Sequence, residues 1–478
     1  MNGTLQAVVS GSFRLKGMVF LLQINLRPFK RQKFLDLTQK GRMKMSEYWD
    51  EKNETMPIEE REAIQLKSLQ KILKWVYEKI PFYRNAFDKK GLKPEDLQSL
   101  ADLSNYPTTE KNDLRDNYPF GLCAVPIEKV IRIHASSGTT GKPVTGPYTA
   151  QDLEDWTECM ARSLWAAGLR EDDICQNAYG YGLFTGGLGF HQGAVKIGCT
   201  IVPTSAGLTE RQLTLMRDFG TTGLFCTPTY ALTIAERAER LGLNLKTWPL
   251  RVGVFGAEPW SDAMRQEIES RMGIVAHEAY GLTEMGGPGV AFTCPEHKLH
   301  INEDHFYPEI IDPDTGETLP EGEQGELVFT ALRRQAMPLI RFRTRDISAL
   351  KREECACGRT LITMKKITGR FDDMLIISGV NVFPSQVESV IMEFEELEAQ
   401  YLLRVKQKGY LSSLAVEVEA KKEVYESGQE TLTALSEKLS RRIQQVIGIH
   451  VPVTIVPYNT IARSEGKAQR VIDERKKS

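Results

Sequence analysis

Residues 134–144, HASSGTTGKPV, gather two Ser, two Thr, two Gly and one Lys immediately before a proline. Hydroxyls, unhindered backbone N–H groups and one cation are what a polyphosphate draws from a loop. The loop is nevertheless not a Walker A motif. Gly138 and Gly141 are too close for G-x-x-x-x-G-K-[ST], and Pro143 stands where a magnesium-binding hydroxyl would follow Lys142. A second glycine-rich stretch, GYGLFTGGLGFHQG, fails as a dinucleotide fingerprint, because Gly187 and Gly189 are followed by Gln192 where a third glycine belongs. A nucleotide in this chain must be held by another scheme.

A second chemical group is Cys294, His300, Cys355 and Cys357. Three thiols and an imidazole make a common structural zinc set, but C-x-C is tighter than the usual knuckle and 60 residues separate Cys294 from Cys355. Spacing leaves structural zinc and unrelated free thiols both open, with His297 as a competing ligand. Four further segments carry polar chemistry: GAEPW from Gly256, YGLTE from Tyr280, RFRTRD from Arg341 and RSEGKAQR from Arg463. Taken singly, each favours a bland reading: the first as a strand ending in a turn, the second as a strand feeding a loop, the third as a solvated strand and the fourth as a basic tail. Tyr179, Tyr181 and Phe184 are either the wall of an apolar pocket or core.

The elements that must position these residues follow from periodicity. Leu66, Leu69, Leu73, Val76 and Ile80 repeat at helical spacing up to Pro81, and Thr149 is placed to cap a helix carrying Leu153, Trp156, Met160 and Leu164 on one face. Apolar runs ending near Tyr179, Thr227, Gly256 and Tyr280 then alternate with helical segments. That rhythm predicts an α/β fold of parallel βαβ units, with ligands at the carboxyl ends of the strands. From Phe371 onward the pattern becomes strand, helix, two strands, helix and strand, ending in a charged tail, as a separate α+β unit would. The expected division is therefore a large domain over 45–370 and a small one over 371–478.

At 478 residues, 41% hydrophobic, 26% charged and net −2, the chain reads as a soluble multidomain protein with no nucleic-acid footprint. Eight cysteines without a cleavable secretory pattern suggest a reducing, cytoplasmic setting. Residues 1–44 differ, with nine Lys/Arg against the single acid Asp36. Their apolar stretch, MVFLLQINL, is too short to span a bilayer. Because MSEYWDEKNETM reads like a native beginning, this arm is taken as a disordered tail or an over-extended start, a basic targeting arm being the alternative.

In their order along the chain, the Ser/Thr/Gly/Lys loop, GAEP, YGLTE, RTRD, GRFDD and a C-terminal GK resemble the adenylate-forming enzymes. The longer strings YGYGLFTGGLGFHQGA, YGLTEMGGPGV, DDMLIISGVNVFPSQVE and RSEGKAQRVID are similar to phenylacetate–CoA ligases, from Met45 to the end. The resemblance implies a large N-terminal domain and a small mobile C-terminal domain enclosing ATP, an aryl-acetic acid and coenzyme A, and it admits a homodimer. It implies that Ser136, Ser137, Gly138, Thr139, Thr140, Gly141 and Lys142 wrap the β- and γ-phosphates, and that Glu284 holds Mg2+. By the same resemblance Thr283 meets the α-phosphate, Gly256, Ala257, Glu258, Tyr280 and Gly281 line the nucleotide site, and Asp346 with Arg370 fixes the ribose. Lys467 arrives with the moving domain as a point charge, and Asp372 is the hinge. Such a site suits a carboxylate attacking an α-phosphorus, which needs positioning and charge neutralisation more than covalent help.

Departures from the family pattern sharpen the expectation. Glu278 and Ala279 stand where Asp or Asn and then Ile are common, Lys196 where Glu is usual, and Ser378 where Arg is usual. An Ala279 facing the ring of the acid would leave room for a larger aromatic group. The expected function is an ATP-dependent aryl-acetate–CoA ligase of the phenylacetate or indole-3-acetate class. Its rivals are an adenylate former loading a carrier protein or other acceptor, and a nucleotide-binding regulator without turnover.

Overall fold

Thr149 caps the helix Ala150–Ala166 through a reciprocal box, its Oγ1 accepting from Asp152 N (3.1 Å) while Asp152 accepts from Thr149 N (2.9 Å). The helix Ile58–Lys79 buries Leu69, Leu73 and Val76, as the periodicity predicts, and Pro81 opens the next helix, Pro81–Lys90, where proline suits the first turn. The structure is a computed structural model describing residues 13–15, 18–20, 46–136, 143–367, 369–371, 375–377, 380–408, 411–464 and 468–475. The chain divides into a unit of Met1–Ser46, whose described strands Phe13–Leu15 and Met18–Phe20 pair antiparallel, and a unit of Glu47–Ser478. Among the described residues no helix is long and apolar enough to cross a membrane.

The alternating segments form the predicted parallel array. Its spatial order is Val275–Leu282, Val252–Phe255, Gly223–Cys226, Ile174–Asn177 and Thr200–Val202. Helices Thr185–Ile197, Thr209–Phe219, Pro228–Arg240 and Asp262–Met272 make the connections. Four antiparallel strands extend the array beyond Val275–Leu282 into a nine-stranded sheet. After Ile174–Asn177 the chain lays Thr200–Val202 on one side and Gly223–Cys226 on the other, so strand order reverses between them. A crevice at such a reversal is where open α/β sheets bind ligands. A second, four-stranded antiparallel sheet contains Phe342–Ser348 and Gly369–Arg370, paired so that Asp346 faces Arg370.

The C-terminal part has its own core, in which Leu403, Val405, Val416, Val418, Leu439 and Ile443 are buried together. It contains the helices Pro384–Ile391 and Gln429–Ile447 and the long antiparallel pair Leu397–Lys408 and Leu411–Ala420. Here the structure adds to the sequence pattern. Val471–Asp473, within the expected charged tail, is a strand pairing parallel with Leu397–Lys408. We refer to this part as the small lobe and to the preceding sheets as the large lobe.

Candidate active site

The strands Arg132–Ala135 and Thr145–Tyr148 pair antiparallel and present the opening loop. Ser136 N donates to Val144 O (2.9 Å), and Val144 N donates to Ser136 Oγ (3.1 Å), closing the base of that loop. Ser137, Gly138, Thr139, Thr140, Gly141 and Lys142 lie outside the described residues, as do Asp372, Ser378 and Lys467. Ser136 itself lines a cavity of ≈ 580 Å³ at the strand-order reversal. Its lining combines an apolar set, Tyr179, Phe184, Phe190 and Ala279, with a polar set, Thr283, Glu284 and Lys111, and also includes Ala257, Thr227 and Gly281. Tyr179 stacks on Phe190 at 4.8 Å and donates to Gly256 O (3.3 Å). Burial pushes its phenol well above the ordinary range, so the hydroxyl stays a donor.

The backbone here is shaped for close approach. A Cβ on Gly256 would lie 2.4 Å from Ala279 O, so only glycine lets the two strand ends come this near. Ala257 follows with φ +72°, a left-handed conformation uncommon for a residue with a side chain and costly unless its surroundings impose it. Glu258 then reaches in two directions, its Oε1 accepting from Thr229 N (2.8 Å) at the start of Pro228–Arg240 and its Oε2 from Ala468 N (3.1 Å) of the small lobe. Through that bond the residue following Lys467 is docked on the large lobe.

Tyr280, Asp346 and Arg370 come together as one clamp. The Tyr280 hydroxyl donates to Asp346 Oδ2 (2.6 Å) and Arg370 Nη1 donates to Asp346 Oδ1 (2.7 Å). Burial, reinforced by the Asp346 charge, holds the Tyr280 phenol far above its ordinary value, which keeps this donor in place. On the cavity wall Lys111 Nζ lies 3.3 Å from Glu284 Oε1. Sequence reasoning missed Lys111. It starts the short helix Lys111–Asp116, and a lone lysine at a helix start is indistinguishable in sequence from a solvated charge.

Other expected residues fall elsewhere. Tyr181 does not line the cavity; its hydroxyl accepts from Asn177 Nδ2 (2.8 Å) and lies 3.2 Å from His191 Nδ1. Lys196 sits at the surface between Glu154 and Glu158. Glu278, next to Ala279, is buried, and its Oε2 has no hydrogen-bond partner among the described residues. Burial raises its carboxyl to about 7.

The ligand atoms of Cys294, His300, Cys355 and Cys357 all lie within 4.8 Å of one another. His297 is not in this group; its ring stacks on His277 at 5.8 Å. Cys294 Sγ and Cys355 Sγ are 3.8 Å apart, and Cys357 Sγ is 3.5 Å from His300 Nε2. A tetrahedral zinc with Zn–S of about 2.3 Å and Zn–N of about 2.0 Å requires S···S near ~3.8 Å and S···N near ~3.5 Å. His300 Nδ1 lies 2.9 Å from Leu361 O, which fixes the ring and turns Nε2 toward the thiols.

This fold and site define a class. Residues 60–332 match the model of the AMP-binding enzymes and residues 379–475 that of the AMP-binding enzyme C-terminal domain, so the architecture is that of the adenylate-forming superfamily. The chain belongs within it to the phenylacetate–CoA ligase family. It is 51% identical over 430 residues to phenylacetate-coenzyme A ligase of Aromatoleum evansii, covering 88% of this chain and 97% of that protein. A 2-hydroxyisobutyryl-CoA ligase in the postadenylation state, in complex with an acyl-AMP, superposes with a TM-score of 0.86 at 28% identity, covering 91% of this chain and 94% of that one. In complex with an acyl-AMP and CoA in the thioesterification state, the same ligase superposes with a TM-score of only 0.68 at 29% identity and the same coverage.

Proposed function

We propose that the chain is an ATP-dependent aryl-acetate–CoA ligase. In the first half-reaction a carboxylate oxygen of the acid attacks the α-phosphorus of ATP, forming the aryl-acetyl-adenylate and expelling pyrophosphate. In the second the sulfur of CoA attacks the acyl carbon, the thiol proton is lost, and AMP leaves with the former carboxylate oxygen. One observation carries this reading: the ≈ 580 Å³ cavity is lined both by aromatic and apolar side chains and by the polar Ser136, Lys111, Thr283 and Glu284, as an acid with an apolar ring and a polyphosphate together demand. Tyr179, Phe184 and Ala279 would hold the ring. Ser136 and the loop from Ser137 to Lys142 would take the β- and γ-phosphates, and Thr283 the α-phosphate. Gly256, Ala257, Glu258, Tyr280 and Gly281 would border the base, and the clamp of Asp346 by Tyr280 and Arg370 would present a fixed carboxylate to the ribose hydroxyls.

Lys111, beside Glu284, supplies a cation where the acid's carboxylate must approach a crowded polyanion. Lys467 would supply a second, on a flexible stem suited to a residue that comes and goes with the small lobe. Glu284 on the cavity wall fits magnesium, which favours one or two protein carboxylates combined with phosphate oxygens and would neutralise charge on the departing pyrophosphate. The thiol–imidazole cluster fits zinc by its spacings, and four protein ligands leave no open position, so its contribution would be to the fold. The domain boundary falls between 370 and 371, with Asp372 as hinge, next to the start of the separate small-lobe core at Leu375.

The test is a panel of carboxylic acids scored by pyrophosphate release with and without CoA. Aryl-acetic acids should support release and, with CoA, stoichiometric AMP and thioester. If CoA gives no thioester while a carrier-protein thiol is loaded, the acceptor is wrong.

A further inference from the structure

Arg463 lies four residues before Lys467, and its guanidinium is divided between two carboxylates from different lobes. Nε and Nη2 donate to Glu236 of the Pro228–Arg240 helix (3.0 and 2.8 Å), while Nη1 and Nη2 donate to Glu419 at the end of Leu411–Ala420 (2.7 and 2.9 Å). The side chains of Arg463, Glu236 and Glu419 are only 14%, 10% and 0% exposed. Glu419 also accepts from the backbone N–H of Asn459 (2.9 Å) and Ile461 (2.6 Å), so the small lobe builds its own half of the bridge. The large-lobe half is reinforced by Arg240, which donates to Glu236 (2.8 Å) and to the Tyr458 hydroxyl (2.7 Å). Beyond Lys467, Ala468 N donates to Glu258, which also caps the first turn of this same helix. The chain on either side of Lys467 is thus tied to the large lobe, by the charged bridge to Glu236 before the lysine and by the Ala468 N–H bond to the Glu258 carboxylate after it.

We propose that Arg463 is a positioning residue for the adenylate-forming half-reaction, its bridge from Glu419 to Glu236 holding the small lobe docked, and that this bridge must open before the thioester half-reaction. The proposal rests on the functional reading above. The 0.86 and 0.68 superpositions support it: both cover 91% of this chain, so the lower score reflects a different arrangement of parts and not missing ones. The bridge therefore belongs to the arrangement resembling the 2-hydroxyisobutyryl-CoA ligase in its postadenylation state and not in its thioesterification state. Hydrogen bonds to charged groups that are mostly shielded from water shift such an equilibrium by about tenfold to a hundredfold, enough to bias one lobe arrangement without locking it.

Glu236→Gln is the decisive variant, because it weakens the inter-lobe half, together with the Glu236–Arg240 pair within the large lobe, and leaves the bonds of Glu419 to Arg463 and the loop intact. Phenylacetate-dependent pyrophosphate exchange should fall about tenfold in kcat with little change in the KM for the acid. Conversion of synthetic phenylacetyl-adenylate and CoA to thioester should stay within twofold of wild type or rise. Arg463→Lys, which keeps the charge but not the fork, should lie between. In the ligand-free protein, hydrogen exchange at the Ala468 amide should speed up about tenfold in Glu236→Gln while Leu403 and Val416 are unchanged. Equal loss of both half-reactions, or unaltered exchange at Ala468, would overturn the proposal. A wild-type protein that exchanges pyrophosphate with no aryl-acetic acid would overturn the functional reading instead, and the hydrogen-exchange arm would still decide the bridge.

Discussion

Replacing Glu278 by Gln should stabilise the protein only at neutral and alkaline pH. Glu278 is 8% exposed, its Oε2 meets no well-aligned donor among the described residues, Trp260 offsets its burial only in part, and the nearby cation Lys366 donates instead to Asp262 Oδ1 at 2.6 Å. Burial lifts its carboxyl from 4.5 to about 7, so the folded state holds the proton more tightly than the unfolded chain does. The contribution to stability is then fully present below 4.5 and is lost as pH rises through about 7, after which it is flat. At about 1.4 kcal/mol per pH unit, the loss amounts to roughly 3 kcal/mol. Gln cannot ionise and escapes it. For a chain of this length unfolding entropy is about 1.0 kcal/mol/K, so the gap in Tm between Glu278→Gln and wild type should widen by roughly 3 °C between pH 4.5 and pH 8. Differential scanning fluorimetry of both proteins across that range measures the gap, and titrating groups that do not interact with Glu278 cancel in the difference. A gap constant to within a degree would mean that Glu278 is ionised throughout, and the burial argument would fail.

The other predictions concern the cavity, the moving lysine and the metal. Ala279→Ile adds three carbons to the apolar wall, and at about 0.8 kcal/mol per methylene this should shift the kcat/KM ratio of indole-3-acetate to phenylacetate by roughly 2 kcal/mol, some thirtyfold, toward the smaller acid. The wild type should use indole-3-acetate or a ring-substituted phenylacetate at least as well as phenylacetate, and an unchanged ratio in the variant would remove Ala279 from the ring site. Lys467→Ala should abolish acid-dependent pyrophosphate exchange yet still convert purified acyl-adenylate to thioester; if that conversion runs no faster than in buffer, the division of labour between the half-reactions is wrong. Asp372→Pro, which fixes φ near about −65°, should block one half-reaction and spare the other. Metal analysis should find one zinc per chain in protein produced with ample zinc, and a stoichiometry near zero would reject the cluster as a zinc site.

Residues carried by contiguous motifs were legible because the backbone that follows a strand end leaves them little choice of direction. Tyr280, Thr283 and Glu284 leave one strand together, and Asp346 meets Arg370 because their strands pair in that register. Thr149 was legible as a cap because its partner Asp152 is local. Residues whose role depends on a distant element were not. Lys111 meets Glu284 across 173 positions of chain, and Glu236 meets Arg463 across 227, with nothing in either neighbourhood to mark the pairing. Tyr181 was expected on the pocket wall because it lies, with Tyr179 and Phe184, at the end of the strand reading CQNAYG and in the Gly-rich turn after it. The strand ends at Asn177, however, and the turn that follows ties the Tyr181 hydroxyl to Asn177. Val471–Asp473 hid as a tail because three residues flanked by Arg and Glu carry no period; only the open edge of Leu397–Lys408 makes them a strand.

Isotope transfer tests the central claim most directly. With ¹⁸O in the carboxylate of phenylacetate, attack on the α-phosphorus followed by cleavage of the acyl C–O bond by the CoA sulfur must leave one labelled oxygen in AMP. Mass spectrometry of the products should therefore find one ¹⁸O per AMP formed and none in pyrophosphate. AMP free of label, or label recovered in phosphate or pyrophosphate, would contradict an acyl-adenylate pathway in this site.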